Sequence, residues 1–138
     1  MKPVPSATLV ANRGVLGSAD QNGRRQITII SQERWQSVED RLGQTVDPGL
    51  RRANLMISGI DLNSTRGQRL RIGPCLVEIS GQTLPCKRMD DAHAGLQEAL
   101  RPDWSGGVFG IILEGGEVHI GDPVHLLPDV WPSNVAKT

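Results

Sequence analysis

The spacing of glycine and proline most constrains what this chain can fold into. Its 138 residues include 16 Gly and 9 Pro, which divide most of the apolar runs into short pieces. Glycine and proline favour turns and are poorly tolerated inside long helices and central strands. The pattern therefore favours short strands joined by many turns, and we expect a mainly β protein.

Short segments with strand patterns follow one another along the chain. Leu70 and Ile72 alternate with two arginines, and Cys75, Val77 and Ile79 share one face of the next segment, as half-buried strands require. Further strands are predicted at residues 7–10, 26–30, 54–58, 108–113, 117–120 and 124–127. The pair Gly115-Gly116 is interpreted as a hairpin turn, with the following strand returning along its predecessor.

Two helices are predicted among these strands. The first follows Ser31, a good N-cap residue, and stops at Gly43. Its apolar residues recur at helical spacing at Trp35, Val38 and Leu42. The second would be capped by Asp91 and run to Leu100. The expected architecture is a barrel-like sheet decorated by a few peripheral helices.

The composition excludes several classes of protein. Lys plus Arg and Asp plus Glu each total 15, and this balance argues against a dedicated nucleic-acid binder. No apolar stretch is long enough to span a membrane, and no secretory signal is visible at the N-terminus. Two cysteines are too few for a disulfide scaffold, so a cytoplasmic protein with reduced thiols is expected. The length fits one domain over 1–138, with a core at about 13–127 and a frayed tail at 128–138.

The two cysteines differ in their surroundings. Cys75 lies in phase with buried strand positions, which favours a small core residue. Cys86 follows Pro85 in a loop after a strand and precedes Lys87 and Arg88, whose positive charge would stabilise a thiolate. A thiolate is the form that binds a metal or attacks a sulfur donor. Cys86 is therefore the candidate reactive group, and an ordinary thiol in a turn is the alternative.

Arginines near the predicted strand starts are the candidate anion-binding groups. Arg24 and Arg25 precede one strand, and Arg52 precedes another together with Asn54. Guanidinium groups can bind phosphate through two parallel hydrogen bonds, although most surface arginines are simply solvated. The three histidines and two cysteines have no metal-ligand spacing, so a structural zinc site is not expected.

The order of these motifs resembles the MOSC domain family, the C-terminal domain of molybdenum cofactor sulfurases. The resemblance covers roughly residues 13–127. It rests on Arg24-Arg25-Gln26-Ile27-Thr28-Ile29-Ile30, Arg52-Ala53-Asn54-Leu55, Ser58-Gly59-Ile60-Asp61-Leu62, Leu70-Arg71-Ile72-Gly73, Val77-Glu78-Ile79, Pro85-Cys86 and the segment 110–124. Where many stand-alone members carry Gly-Asp-Arg, this chain has Gly17-Ser18-Ala19-Asp20.

The resemblance implies a MOSC-type β-barrel with a few helices and gives roles to the candidate residues. Cys86 matches the family's characteristic cysteine, which in some relatives is a molybdenum ligand. Arg52 and Asn54 match a segment that holds the pterin of the cofactor, and Arg24 or Arg25 matches an arginine before the early strand. In the resulting hypothesis Cys86 is the metal ligand. The molybdopterin phosphate would be held by Arg24, Arg25, Arg52, Asn54, Lys87 and Arg88.

Three functions remain open from the sequence. The first is a domain that binds molybdenum cofactor and reduces N-hydroxylated compounds with electrons from a redox partner. The second is a sulfur carrier in which Cys86 receives a persulfide from a cysteine desulfurase. The third is a non-catalytic barrel that binds a small anion through its basic loops. The sequence does not settle whether the protein is an enzyme.

Overall fold

The computed structural model describes residues 5–17, 25–47, 53–84, 90–91 and 93–127. Strands predominate in it. They are β1 (Ser6–Val10), β2 (Gly14–Val15), β3 (Ile27–Ser31), β4 (Leu55–Ile57), β5 (Arg69–Ile72), β6 (Cys75–Gln82), β7 (Val108–Glu114), β8 (Gly116–His119) and β9 (Val124–Leu127). The helical elements are α1 (Gln32–Leu42), α2 (Leu96–Ala99) and a 3₁₀ turn at Pro102–Trp104.

The strands form two sheets that share one core. Six strands follow the order β4-β3-β7-β6-β5-β9, and three follow the order β2-β1-β8. All pairs are antiparallel except β3 with β4. The main cluster of buried side chains takes Leu9 and Val118 from the smaller sheet and Ile29, Val77 and Ile112 from the larger one. The sheets therefore curl around a common interior, and the expectation of a mainly β fold with a few helices is confirmed.

The interpretation of Gly115-Gly116 as a hairpin turn is wrong. Strand β8 pairs with β1 in the smaller sheet and does not return along β7. A Cβ on Gly115 would lie 2.5 Å from the carbonyl oxygen of Leu9, and one on Gly116 would lie 3.1 Å from Pro74. The two glycines allow close backbone approach at a corner where the chain passes between sheets. The glycine pair does mark the break between two strands, but the strand that pairs with β8 is distant in sequence.

The first helix has the predicted caps. The Ser31 side chain accepts a hydrogen bond from the backbone N–H of Arg34, and Gly43 ends the helix in a left-handed conformation. Trp35 and Val38 pack into a second cluster beside the barrel, with Leu96 and Leu100. The peripheral helices therefore have a small core of their own. The indole N–H of Trp35 donates to the carbonyl of Val46 at 2.9 Å, so this buried polar group is satisfied.

The second helix differs from the sequence prediction at its start. The described helix α2 has Gly95 at its N-cap instead of Asp91, while its C-cap is Leu100, close to the predicted end. Asp90 instead accepts a hydrogen bond from the backbone N–H of Gln97 at 2.9 Å. The Asp90 carboxylate, seven residues before Gln97, therefore binds a backbone N–H in the first turn of the helix, as a cap residue would. The predicted tail at 128–138 lies outside the described residues.

None of the helices in the described ranges is long and apolar enough to cross a membrane.

Two identical substitutions would test the assignment of the core. Ile112 is fully buried in β7, whereas Ile120 is 81% exposed after β8. Ile112→Ala should lower the free energy of unfolding by about 2 to 5 kcal/mol, because it leaves a cavity in packed surroundings. Ile120→Ala should change it by less than about 0.5 kcal/mol. Denaturant unfolding followed by circular dichroism measures both, and equal losses would contradict the packing described here.

Candidate functional site

The candidate residues divide into two groups. Cys86, Arg24, Arg52, Lys87 and Arg88 lie outside the described residues. The structure does describe Arg25 and Asn54, together with the chain on both sides of the Cys86 segment.

Both ends of the Cys86 segment are attached to the fold. The backbone N–H of Thr83, just after β6, donates to the carbonyl of Gly107 at 2.9 Å. On the far side, the Asp90 carboxylate is bound to the backbone of Gln97. The described residues that flank 85–89 are therefore held beside the first residues of β7 on one side and beside α2 on the other.

Asn54 links two strands. Its Oδ1 accepts hydrogen bonds from the backbone N–H of Thr28 at 2.8 Å and from the Thr28 hydroxyl at 3.1 Å. Its own backbone N–H lies 3.0 Å from both the carbonyl and the hydroxyl oxygen of Thr28. Asn54 thus holds the start of β4 against β3, a role that the sequence pattern did not predict. This bonding leaves the amide Nδ2 as the part of the side chain suited to a ligand.

Arg25 covers an aromatic ring at the start of β3. Its guanidinium carbon lies 5.1 Å from the centre of the half-buried Phe109 ring, which is within the range of a cation–π contact. Over the described part of the chain, Arg25 forms no ion pair with a carboxylate. Its donors are therefore available to an anion.

Strand pairing places Arg25 and Asn54 in the same row across the larger sheet as the end of β6. Thr28, which binds Asn54, is directly opposite Phe109, and Phe109 is in turn opposite Gly81 of β6. Neighbouring strands are about 4.8 Å apart. Arg25 and Asn54 thus lie two or three strands from the end of β6, where the chain continues toward Cys86.

The sequence analysis did not identify Arg66, which lies beside Gly81 in the same row of the sheet. Its Nη2 atom lies 3.3 Å from the point that a Cβ on Gly81 would occupy. Arg66 belongs to a polar turn before β5, and the sequence carries no signal there. Only the pairing of β5 with β6 brings this turn to the strand that leads to Cys86.

A separate open cleft of ≈ 350 Å³ lies at the start of α1. Arg34 bonds both carboxylate oxygens of Asp61, at 3.3 and 2.8 Å, and lies 3.5 Å from Asp103. Hydrogen bonds from the backbone of Asn63 and then from Arg34 lower the pKa of Asp61. The backbone N–H of Gly59 lowers the pKa of Glu33 in the same way.

The charges of the α1 cleft are therefore matched within the protein. Arg34 is shared between two carboxylates, and Glu33 is bound to a backbone donor. Asp103 and Trp104 both have positive φ angles, 53° and 59°, beside this cluster. The geometry fits a structural junction that ties α1 to the loops after β4 and before β7.

The three histidines lie apart from one another in the fold. His119 and His125 are exposed on strands, and His93 is half-buried. Within the described ranges, no three His, Cys, Asp or Glu side chains are grouped so as to hold a metal ion.

Cys75 is a core residue, as predicted. It is fully buried in the main cluster. Burial raises the pKa of its thiol above the ordinary value, an effect opposed by the charge of Arg71. The neutral thiol therefore prevails near neutral pH, which makes Cys75 a poor nucleophile.

The fold defines a class of protein: a small, mainly β domain whose curled sheets enclose one core beside a few peripheral helices. The MOSC domain model matches residues 13–125, and the chain belongs to the MOSC domain family. The structure confirms the barrel-type fold that the sequence resemblance implied. No curated protein matches the sequence.

Solved structures show the same fold at low sequence identity. YuaD from Bacillus subtilis has a TM-score of 0.76 and 21% identity, over 91% of this chain and 86% of that one. YiiM from Escherichia coli has a TM-score of 0.70 and 19% identity, over 90% of this chain and 63% of that one. YiiM from Geobacillus stearothermophilus has a TM-score of 0.65 and 18% identity, over 88% and 73%.

The contrast between the two thiols predicts selective labelling. Cys86 should react with an alkylating reagent near neutral pH well before Cys75, because Cys75 is buried with a raised pKa and the neighbouring Lys87 and Arg88 are expected from the sequence to favour the Cys86 thiolate. Peptide mass spectrometry after brief alkylation measures the order. Labelling of Cys75 should increase as the pH rises or the protein unfolds. Preferential labelling of Cys75 in the folded protein would refute the prediction.

Proposed function

We propose that this MOSC domain binds molybdenum cofactor, with Cys86 as the metal ligand. The pterin phosphate is held by Arg24, Arg25, Arg52, Asn54, Lys87 and Arg88. The domain would act as a reductase of N-hydroxylated compounds and receive electrons from a redox partner.

The observation that carries this proposal is the grouping of Arg25 and Asn54 with the strand that leads to Cys86. Cys86 follows Thr83 by three residues, so the chain can carry it no more than about 11 Å from there. Arg24 directly precedes Arg25 in the sequence, and Arg52 is two residues before Asn54. Chain connectivity therefore keeps the soft ligand and the phosphate donors in one region of the barrel.

The described residues fit part of such a cofactor. The Arg25 guanidinium has a planar set of donors and no carboxylate competitor in the described ranges. Asn54 has already committed its Oδ1 to Thr28, so it would contribute through Nδ2. We therefore assign Asn54 mainly to holding β4 against β3 and secondarily to binding the ligand.

The molybdenum and the protein chain would supply different parts of the chemistry. When bound, the molybdenum would supply the two-electron redox chemistry. The chain supplies a thiolate, which suits a soft metal site, and fixed positive charge for the phosphate. Cys75, fully buried, takes no part.

Metal and pterin content tests the proposal directly. Protein made in a host that produces the cofactor should contain both. Cys86→Ala should lose the molybdenum and keep some metal-free pterin, while Cys75→Ala is the matched control and should retain the metal. Arg52→Ala should reduce cofactor retention about tenfold or more, because it removes a charge-assisted hydrogen bond worth about 1.5 to 3 kcal/mol.

Thermal stability provides a second readout. A ligand that binds only the native state raises the unfolding temperature. Wild-type protein should gain stability from the cofactor, and Arg52→Ala should gain less. Wild-type protein that purifies without molybdenum and gains no stability would overturn the cofactor proposal. The sulfur carrier or the non-catalytic anion-binding barrel would then take its place.

A second candidate is a sulfur carrier, and the burial of Cys75 favours it. A persulfide on Cys86 could be lost if a second thiol attacked it to form an internal disulfide. Cys75 is fully buried with a raised pKa and is unsuited to this attack. The persulfide would come from a cysteine desulfurase partner, whose thiolate leaves as the sulfur passes to Cys86.

Persulfide loading tests the sulfur-carrier candidate. After incubation with a cysteine desulfurase and cysteine, intact-protein mass spectrometry should show one added sulfur atom. Cys86→Ala should show no addition, and Cys75→Ala should load as wild type does. If wild-type protein does not load, or if Cys86→Ala loads equally, the sulfur-carrier candidate fails.

A further inference from the structure

The contacts of Thr28 fix which end of the Asn54 side-chain amide faces the protein. An amide has an oxygen that accepts hydrogen bonds and a nitrogen that donates them. The backbone N–H of Thr28 lies 2.8 Å from Oδ1 of Asn54. Because a backbone N–H can only donate, the amide atom that it meets must be the oxygen. The Thr28 hydroxyl donates to the same oxygen at 3.1 Å.

The same hydroxyl also holds the backbone of Asn54. The Asn54 N–H lies 3.0 Å from the Thr28 hydroxyl oxygen and 3.0 Å from the Thr28 carbonyl oxygen. The Thr28 side chain is therefore bonded to Asn54 at two places, the backbone and the tip of the side chain. A side chain held in this way loses most of its rotamer freedom, so the remaining amide atom, Nδ2, has a defined position.

Nδ2 is the part of Asn54 that remains for a ligand. It forms no hydrogen bond with any residue that the structure describes, and the side chain is half-buried. A ligand that covered this donor without accepting a hydrogen bond from it would leave a buried polar group unpaired, which is costly. The ligand group beside Nδ2 must therefore be an acceptor.

Arg25 acts on the same face of the sheet. Thr28 is directly opposite Phe109 in the antiparallel pairing of β3 with β7, so these two side chains project from one face. The Arg25 guanidinium lies over the Phe109 ring at 5.1 Å. Arg25 has only donors, and Asn54 has only a donor left. Both groups favour an acceptor on the ligand, and neither can bind a cation.

We propose that Thr28 is a positioning residue that restricts Asn54 to binding hydrogen-bond acceptors. Thr28 holds Oδ1 toward β3, so that only Nδ2 is available to the ligand. The inference deepens the cofactor proposal and rests on it for the ligand. It adds Thr28 to the residues on which binding depends. It also assigns a ligand oxygen or an unprotonated ring nitrogen to the position beside Asn54, where an N–H or ammonium group is excluded.

Thr28→Val tests the positioning role. Valine has the β-branched shape that suits a strand, and the backbone N–H groups of both residues keep a partner, so the fold should be retained. Cofactor retention, measured as pterin and molybdenum per chain, should fall about threefold or more, the effect of one or two lost hydrogen bonds. Thr28→Ser keeps the hydroxyl and should restore most of the retention. Thr8→Val, at a half-buried position of the smaller sheet, is the matched control and should retain cofactor as wild type does.

Asn54→Asp tests the choice of acceptor without breaking the pair. Oδ1 of aspartate can accept the same two hydrogen bonds from Thr28, while its second oxygen replaces the donor with a charged acceptor. Cofactor retention should fall about tenfold or more, the effect of a lost donor and an added repulsion. The unfolding temperature of the cofactor-free protein should stay close to that of wild type. Ser58→Asp adds the same charge at an exposed position after β4 and should retain the cofactor.

Side-chain amide NMR separates positioning from a general loss of stability. The Nδ2 resonance of Asn54 should shift when the cofactor binds, and it should shift less in Thr28→Val. If wild type holds the cofactor and folded Thr28→Val and Asn54→Asp hold it equally well, the inference fails and the cofactor proposal stands. If Thr28→Val does not fold, Asn54→Asp decides. If wild type holds no cofactor, the cofactor proposal fails and the role of Thr28 fails with it.

Discussion

The antiparallel pairing of β6 (Cys75–Gln82) with β7 (Val108–Glu114) is the constraint on which the rest of the structure depends. It joins the β3–β4 side of the larger sheet to the β5–β9 side. It also brings Val77 opposite Ile112, and both are fully buried. Because side chains alternate between faces, a shift of one residue would move these groups out of the core. The β-bulge between Ile79 and Gly81 shifts the register only at the end of β6, beyond the buried pair of Val77 and Ile112.

The same ladder determines which polar groups meet. Gly81 is opposite Phe109, and Phe109 is opposite Thr28, which binds Asn54. Arg25 reaches this row over the aromatic ring, and Arg66 reaches it from a turn held against Ile79. The basic groups belong to segments far apart in sequence, and the register of four strands collects them near the start of the Cys86 segment.

The arginines of the protein serve two different purposes. Arg34 is bound by Asp61 and Asp103, and Arg71 lies 3.0 Å from Glu114, so these charges hold loops and strand ends together. Arg25 and Arg66 form no such pairs within the described ranges. Exposed ion pairs contribute little to stability, but they do neutralise charge locally. The positive charges of Arg25 and Arg66 are therefore not neutralised by a carboxylate within the described ranges, unlike the charge of Arg34 in the α1 cleft.

The sequence by itself determined the features whose signals are local. The alternation from Leu70 to Ile79, the capping of α1 by Ser31 and Gly43, and the burial of Cys75 depend on neighbouring residues, and the structure has all of them. The order of motifs also identified the family.

Tertiary structure alone decided the features that depend on pairing partners. The chain passes from one sheet to the other at Gly115-Gly116, because β8 pairs with β1. Asn54 joins β3 to β4 through Thr28, and Arg66 lies beside Gly81. A tight turn, an amide and an arginine are recognisable in a sequence. The partner of Asn54 lies 26 residues away, and the partners of the glycine pair and of Arg66 lie on other strands. These contacts depend on strand register, which is fixed by the packing of the whole core.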